Sequence, residues 1–85
     1  MKIAIVGLGY VGLPLSLQFA KSGVDVLGLD IDRTKVDWLN RGKSYIRHIP
    51  SAEIKTQLKA GRLAASTDFA RVRQVDGVVI ASRHR

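Results

Sequence analysis

Apolar positions in this chain fall into short unbroken runs and spaced stripes, and the two alternate. Lys2 to Val6 carries the run Ile-Ala-Ile-Val and stops at Gly7. A stretch apolar on both faces suits a buried parallel strand. Tyr10 to about Ser22 reads as a helix, with Val11, Leu15 and Phe19 on one i, i+4 stripe. Gly12, Ser16 and Ala20 form a small-residue stripe beside it. Pro14 then belongs in the first turn, where a missing N–H costs little. Gly23 is placed to close the helix as a left-handed cap. Val24 to Leu29 is the second strand, ending in Asp30. Asp32 can cap a helix from Arg33 to Arg41, with Val36 and Leu39 inward and Gly42 just beyond. A polar loop, Gly42 to Pro50, comes next. Ser51 is expected to cap a short helix through Ala60, with Ile54 and Leu58 inward and Gly61 at its end. Leu63 to Ser66 reads as a third strand, and Thr67-Asp68 opens a helical turn carrying Phe69 and Val72. Gly77 to Ala81 is a fourth, strongly apolar strand. Strands alternating with helices imply right-handed crossovers and a parallel sheet.

Composition narrows the class. With 85 residues there is room for one small domain, and 46% apolar residues argue against disorder. Cysteine is absent, which excludes disulfides, thiolate metal sites and a cysteine nucleophile within this chain. No apolar run approaches the roughly 18–20 residues of a membrane span. The opening run ends at glycine with no cleavable small-residue site after it, so a secretory signal is not expected. A soluble cytoplasmic domain without membrane partners is the expectation. Fourteen Lys and Arg against seven Asp and Glu give a net charge of +7, which raises a nucleic-acid reading. The cations are spread from Lys2 through Lys21, Lys35, Lys55 and Arg71, and stacking aromatics are few. Nucleic acid is therefore not the expected partner.

Eight glycines are present, and three of them fall in Gly7-Leu8-Gly9-Tyr10-Val11-Gly12. The GxGxxG spacing alone is a weak signal. Its setting is stronger: a strand precedes it, a helix opens from it, and the next strand ends in an acid, Asp30. Those features mark a dinucleotide-binding βαβ unit. Gly7 allows the tight turn, Gly9 lets the backbone approach a pyrophosphate, and Gly12 lets the helix lie close to the strand. Amides and the positive dipole end at Tyr10-Val11-Gly12 would stabilise the bound anion. Asp30 can accept both ribose hydroxyls of NAD and would repel the 2′-phosphate of NADP. Arg33 and Lys35 stand near enough to soften that preference.

Other chemistry is sparse. His48 sits in a polar loop without a second ligand, so no metal site is expected. Ser16 and Ser44 lack a partner base, and Asp25 and Asp37 read as surface charges. Trp38 reads as packing or partial cover. No catalytic residue is identified: hydride transfer needs a substrate pocket and a proton acceptor facing the nicotinamide.

Lys2 to Leu15, Lys-Ile-Ala-Ile-Val-Gly-Leu-Gly-Tyr-Val-Gly-Leu-Pro-Leu, resembles the N-terminus of the UDP-glucose/GDP-mannose dehydrogenase family. The Gly-Tyr-Val-Gly-Leu-Pro stretch is far more specific than the glycine spacing. The likeness continues through Gly28-Leu29-Asp30-Ile31-Asp32, Ser44 to Pro50 and Gly61 to Phe69, and covers residues 2 to about 80. The Tyr-Ile-x-His-Ile-Pro loop is most similar to the UDP-N-acetylglucosamine 6-dehydrogenase branch. The resemblance implies a full-length enzyme that oxidises the C6 hydroxyl of a nucleotide sugar to a carboxylate in two NAD-dependent steps. It implies a role in polysaccharide biosynthesis, with a downstream cysteine, lysine and aspartate doing the chemistry. For this chain it implies NAD contacts only: Gly7, Gly9, Tyr10, Val11 and Gly12 at the diphosphate, Asp30 at the adenosine ribose, and Lys35 at that same end.

After the fourth strand the family usually continues with Val-Pro-Thr-Pro, whereas this chain reads Ala81-Ser82-Arg83-His84-Arg85. The expected division is a truncated NAD-binding domain, 1–81, and a non-family tail, 82–85. A shifted reading frame would account for the ending, because one set of codons for Ala-Ser-Arg-His-Arg also reads Val-Pro-Thr-Pro when offset by two bases. DNA past codon 80 with no such segment in either other frame would exclude this. The fold expectation is the first half of a Rossmann-type α/β sheet, with four parallel strands in the order 3-2-1-4. A chain this size buries only about 60–65% of its unfolded surface, so marginal stability is expected. The open edge of the fourth strand predicts self-association. Two alternatives stand beside the dehydrogenase fragment: a piece of a 3-hydroxyacid dehydrogenase, and an NAD-sensing regulatory domain.

Overall fold

The computed structural model describes residues 1–81. The expected tail, 82–85, lies outside the described residues. Four strands, β1 (Lys2–Val6), β2 (Asp25–Leu29), β3 (Leu63–Ser66) and β4 (Gly77–Ile80), form one sheet in the order β3-β2-β1-β4. All three pairings are parallel, with Val6 opposite Leu29 on one side and Ile80 on the other. Topology and strand order are those expected.

Three helices, α1 (Gly12–Lys21), α2 (Arg33–Asn40) and α3 (Ser51–Lys59), supply the main core. Strand alternation sorts the side chains. Ile3, Ile5, Val26, Leu63 and Ala65 meet Leu13, Leu17, Ala20, Val36, Leu39 and Ile54 in one cluster. Ala4, Leu27 and Leu29 point to the other face, where Val72 and Val75 pack from the segment that holds a 3-10 helix, Phe69–Gln74. The steps β1→β2 and β2→β3 run one way, and the return to β4 passes back beyond β1. The order therefore reverses between β1 and β4, and the crevice outside their C-terminal ends is where such sheets place ligands. The second face is thinly covered: Val78 is 49% and Ile80 71% exposed.

The helix stops match the glycines. Gly23, Gly42 and Gly61 all have positive φ. After α1 the Gly23 N–H donates to Ala20 and the Val24 N–H to Phe19, the paired bonds of a Schellman cap. The starts differ more. α1 begins at Gly12 rather than Tyr10, which still leaves Pro14 in the first turn. Its buried face is Gly12, Leu13, Ser16, Leu17 and Ala20, whereas Leu15 and Phe19 are only partly buried and Val11 is exposed. The small-residue stripe faces inward because this helix runs too close to β1 for larger side chains at Gly12. Ser51 is not a cap. It lies inside α3 with Pro50 at the capping position, and its hydroxyl instead accepts the Ser44 N–H at 3.0 Å, bracing the preceding loop. Asp32 does cap α2, accepting from Thr34 and Lys35.

Candidate functional site

The turn between β1 and α1 is built by contacts that leave little freedom. Gly7 has φ +95°, which favours glycine, and its N–H donates to the Leu29 carbonyl at 2.8 Å. A Cβ on Gly12 would stand 1.6 Å from the Gly7 carbonyl oxygen, so helix and strand end meet backbone to backbone. Leu8, an unspecified position in the glycine motif, is fully buried and lies over Gly28, whose Cβ would fall 2.7 Å from Leu8 Cδ2. Gly28 thus makes the hollow that seats the turn.

Asp30 is not a solvated strand-end acid. It is 9% exposed, and its two carboxylate oxygens accept from the Leu8 N–H at 2.7 Å and the Asp32 N–H at 2.8 Å. Each oxygen of an ionised carboxylate has roughly two acceptor positions. The two amides therefore fix the group without exhausting it, and it can still accept two hydroxyls. Gly9 faces open space, because the nearest atom to a Cβ built there is Lys35 Nζ at 3.9 Å. A cavity of about 370 Å³ is lined by the Gly7–Val11 turn, Asp30, Lys35 and Ala81. Of the residues expected in the site, Gly7, Gly9, Tyr10, Val11, Asp30 and Lys35 line this one space, and Gly12 lies beneath it. Tyr10 and Val11 are exposed at the start of α1, whose positive end favours anions.

This donor set fits a dinucleotide: a cradle with no side chain at Gly9, a helix start for a diphosphate, and an oriented carboxylate for a diol. A larger cavity of about 520 Å³ lies against the 42–50 loop, with Trp38, Arg47 and Ile49 in its lining, and includes neither the glycine turn nor Asp30. Size alone would have pointed there; converging polar groups favour the smaller space. Trp38, 41% exposed, gives partial cover to this second cavity. Ser16 is buried and its hydroxyl donates to the Gly12 carbonyl, a structural use. His48 is exposed, and Asp25 lies 3.9 Å from Arg62.

Tyr45 was not anticipated at the site. Its hydroxyl donates to the Leu8 carbonyl at 2.5 Å, across 37 residues of sequence. Burial, reinforced by the Asp30 and Asp32 carboxylates, pushes its phenol above the ordinary range. A folded-state value above the unfolded one means stability is fully present below about pH 10 and is lost as pH rises beyond it. Chemical unfolding followed between pH 9 and 11 should show this loss, and Tyr45→Phe should flatten it. An equal slope in both proteins would contradict the assignment.

Comparison with known proteins agrees with the geometry. The model of the NAD-binding domain of the UDP-glucose/GDP-mannose dehydrogenase family matches residues 1–83. The chain is 42% identical over 66 residues to UDP-N-acetyl-D-mannosamine dehydrogenase of Escherichia coli K12, covering 76% of this chain and 16% of that protein. It is 44% identical over 72 residues to GDP-mannose 6-dehydrogenase of Pseudomonas syringae pv. tomato, covering 82% and 16%. A crystal structure of a ternary complex of GDP-mannose dehydrogenase from Pseudomonas aeruginosa superposes with a TM-score of 0.94 at 34% identity. That match covers all of this chain and 20% of the other. The chain thus spans about a fifth or less of the length of these relatives.

Proposed function

The chain belongs to the UDP-glucose/GDP-mannose dehydrogenase family, matching within its NAD-binding domain, and from that premise we propose how its residues hold the cofactor. The Gly7–Gly12 turn and the start of α1, with Tyr10 and Val11, take the diphosphate. Asp30 accepts the adenosine ribose hydroxyls, and Lys35 reaches the same end. The observation that carries this reading is the buried Asp30 carboxylate, which two backbone amides orient at the mouth of the turn. The cofactor, when bound, supplies the hydride acceptor. The residues named here bind and orient it.

In a longer protein of the family this domain would serve oxidation of a nucleotide sugar at C6. The 45–50 loop favours UDP-N-acetylglucosamine or a close relative as that sugar, by its resemblance to that branch. The 85-residue chain alone is expected to bind NAD weakly and to show no turnover. By the family resemblance, the longer protein would serve polysaccharide biosynthesis in the cytoplasm. Among the described residues β4 is an edge strand, and with Val78 and Ile80 exposed it favours self-association of the 85-residue chain. Light scattering should show mass rising with concentration, and a constant monomer at high concentration would contradict it.

The binding test is a titration of NAD and NADP against the parent and Asp30→Ala. The parent should prefer NAD by tenfold or more, about 1.4 kcal/mol. Asp30→Ala should weaken NAD and erase the preference. It should also cost about 1–3 kcal/mol of stability, because the Leu8 and Asp32 amides lose their acceptor. A parent that favours NADP, or a variant that keeps the parent's ratio, would refute the role of Asp30.

A further inference from the structure

The loop after α2 reaches the glycine turn through one side chain. Tyr45 bonds the Leu8 carbonyl oxygen, while the Leu8 N–H is held by Asp30 at 2.7 Å. Both backbone groups of Leu8 are therefore fixed from outside the turn. The Leu8 carbonyl and the Gly9 N–H share one trans peptide plane, so they point in opposite directions. Drawing the carbonyl toward Tyr45 turns the Gly9 N–H to the far side of that plane. The ring has a second neighbour. Lys35 Nζ lies 5.9 Å from its centroid, within reach of a cation–π contact, and the same ammonium stands beside Gly9. Gly9, Tyr10, Lys35 and Tyr45 line a common cavity of about 290 Å³ that shares residues with the site described above.

The loop is built to present this side chain. Ser44 Oγ donates to the Ile46 carbonyl and accepts the Ile46 N–H, and Ser51 holds the Ser44 N–H. Ile46 and Ile49 are buried and pin the segment to the core. Tyr45 is thereby held from both sides.

The geometry points to Tyr45 as a positioning residue for the dinucleotide, its hydroxyl setting the Leu8–Gly9 peptide at the diphosphate end and its ring seating the Lys35 ammonium at the ribose end. This rests on the dinucleotide reading above. Tyr45 acts through Leu8 and Lys35.

The test is a set of NMR titrations of the 85-residue chain with NAD, ADP and adenosine. Tyr45→Phe keeps the ring and loses the hydrogen bond. It should weaken NAD and ADP by roughly 3- to 10-fold, the loss expected from one hydrogen bond. Adenosine, which has no phosphate, should bind within about twofold of the parent. The Gly9 amide resonance should move in the ligand-free variant while Leu39 and Ile54 stay in place. Lys35→Ala, which leaves the Tyr45 bond intact, gives a second route if Tyr45→Phe folds poorly. It should weaken ADP and adenosine alike, as a contact at the ribose end does, and adding Tyr45→Leu should cost less ADP affinity than Tyr45→Leu costs alone. Unchanged NAD and ADP affinity in Tyr45→Phe overturns the proposal. So does an equal loss for adenosine, which would make Tyr45 a structural brace only. A parent that binds none of the three ligands refutes the dinucleotide reading itself, and this inference falls with it.

Discussion

Gly12→Ala should leave this chain unfolded. The added Cβ would lie 1.6 Å from the Gly7 carbonyl oxygen and 2.7 Å from its carbonyl carbon. An ordinary contact needs about 3.5 Å, so α1 would have to move roughly 2 Å off β1. No flexible side chain stands in between to absorb the shift, since both atoms belong to backbone. Separating α1 from the sheet would also open the cluster of Leu13, Leu17 and Ala20 against Ile3, Ile5 and Val26. A cost above about 3 kcal/mol follows, large against the total stability expected of so small a domain. Circular dichroism and amide dispersion would report the loss. Gly61→Ala is the control: no atom lies within 4 Å, and only its left-handed backbone is strained. It should cost about 1–2 kcal/mol and remain folded. A Gly12→Ala protein that melts like the parent would show that helix and strand are not in backbone contact.

Gly9→Ala should do the reverse, preserving the fold and weakening binding. Its Cβ would meet only Lys35 Nζ at 3.9 Å, an ordinary contact with the end of a flexible chain. Its φ is not in the left-handed region, so alanine adds no backbone strain. The melting temperature should stay within a few degrees of the parent. The methyl group would, however, occupy the space through which a diphosphate approaches the turn, and NAD affinity should fall by at least about tenfold. Parent-like NAD binding by Gly9→Ala would remove the turn from the site. The two glycines thus share one motif and divide its duties, packing at Gly12 and ligand access at Gly9.

Much of this was legible because the signals are local. β1 and β3 are apolar or small runs bounded by glycine and by serine, and their limits match the structure. Asp32 caps α2 through bonds that span two and three residues, a pattern sequence spacing expresses directly. Asp30 was legible by its distance from the glycines, though its burial was not. What the spacing hid is non-local. Nothing around Tyr45 says that its hydroxyl ends on Leu8, and nothing around Leu8 says that it fills the hollow over Gly28. Which face of α1 points inward is hidden for a related reason. The spacing shows two stripes side by side, Val11, Leu15 and Phe19 next to Gly12, Ser16 and Ala20, and only the close approach to β1 at Gly12 turns the second inward, with Leu13 and Leu17 flanking it. Ser51 illustrates the same limit, since its hydroxyl serves the loop before the helix.

An amide perturbation map of the labelled chain, titrated with NAD to millimolar concentration, tests the central assignment most directly. Saturable shifts are expected at Gly7 to Gly12, Asp30, Lys35 and Ala81, with the cavity edge at Trp38 and Arg47 unmoved. Shifts centred on Trp38 and Arg47, or none at all, would contradict it.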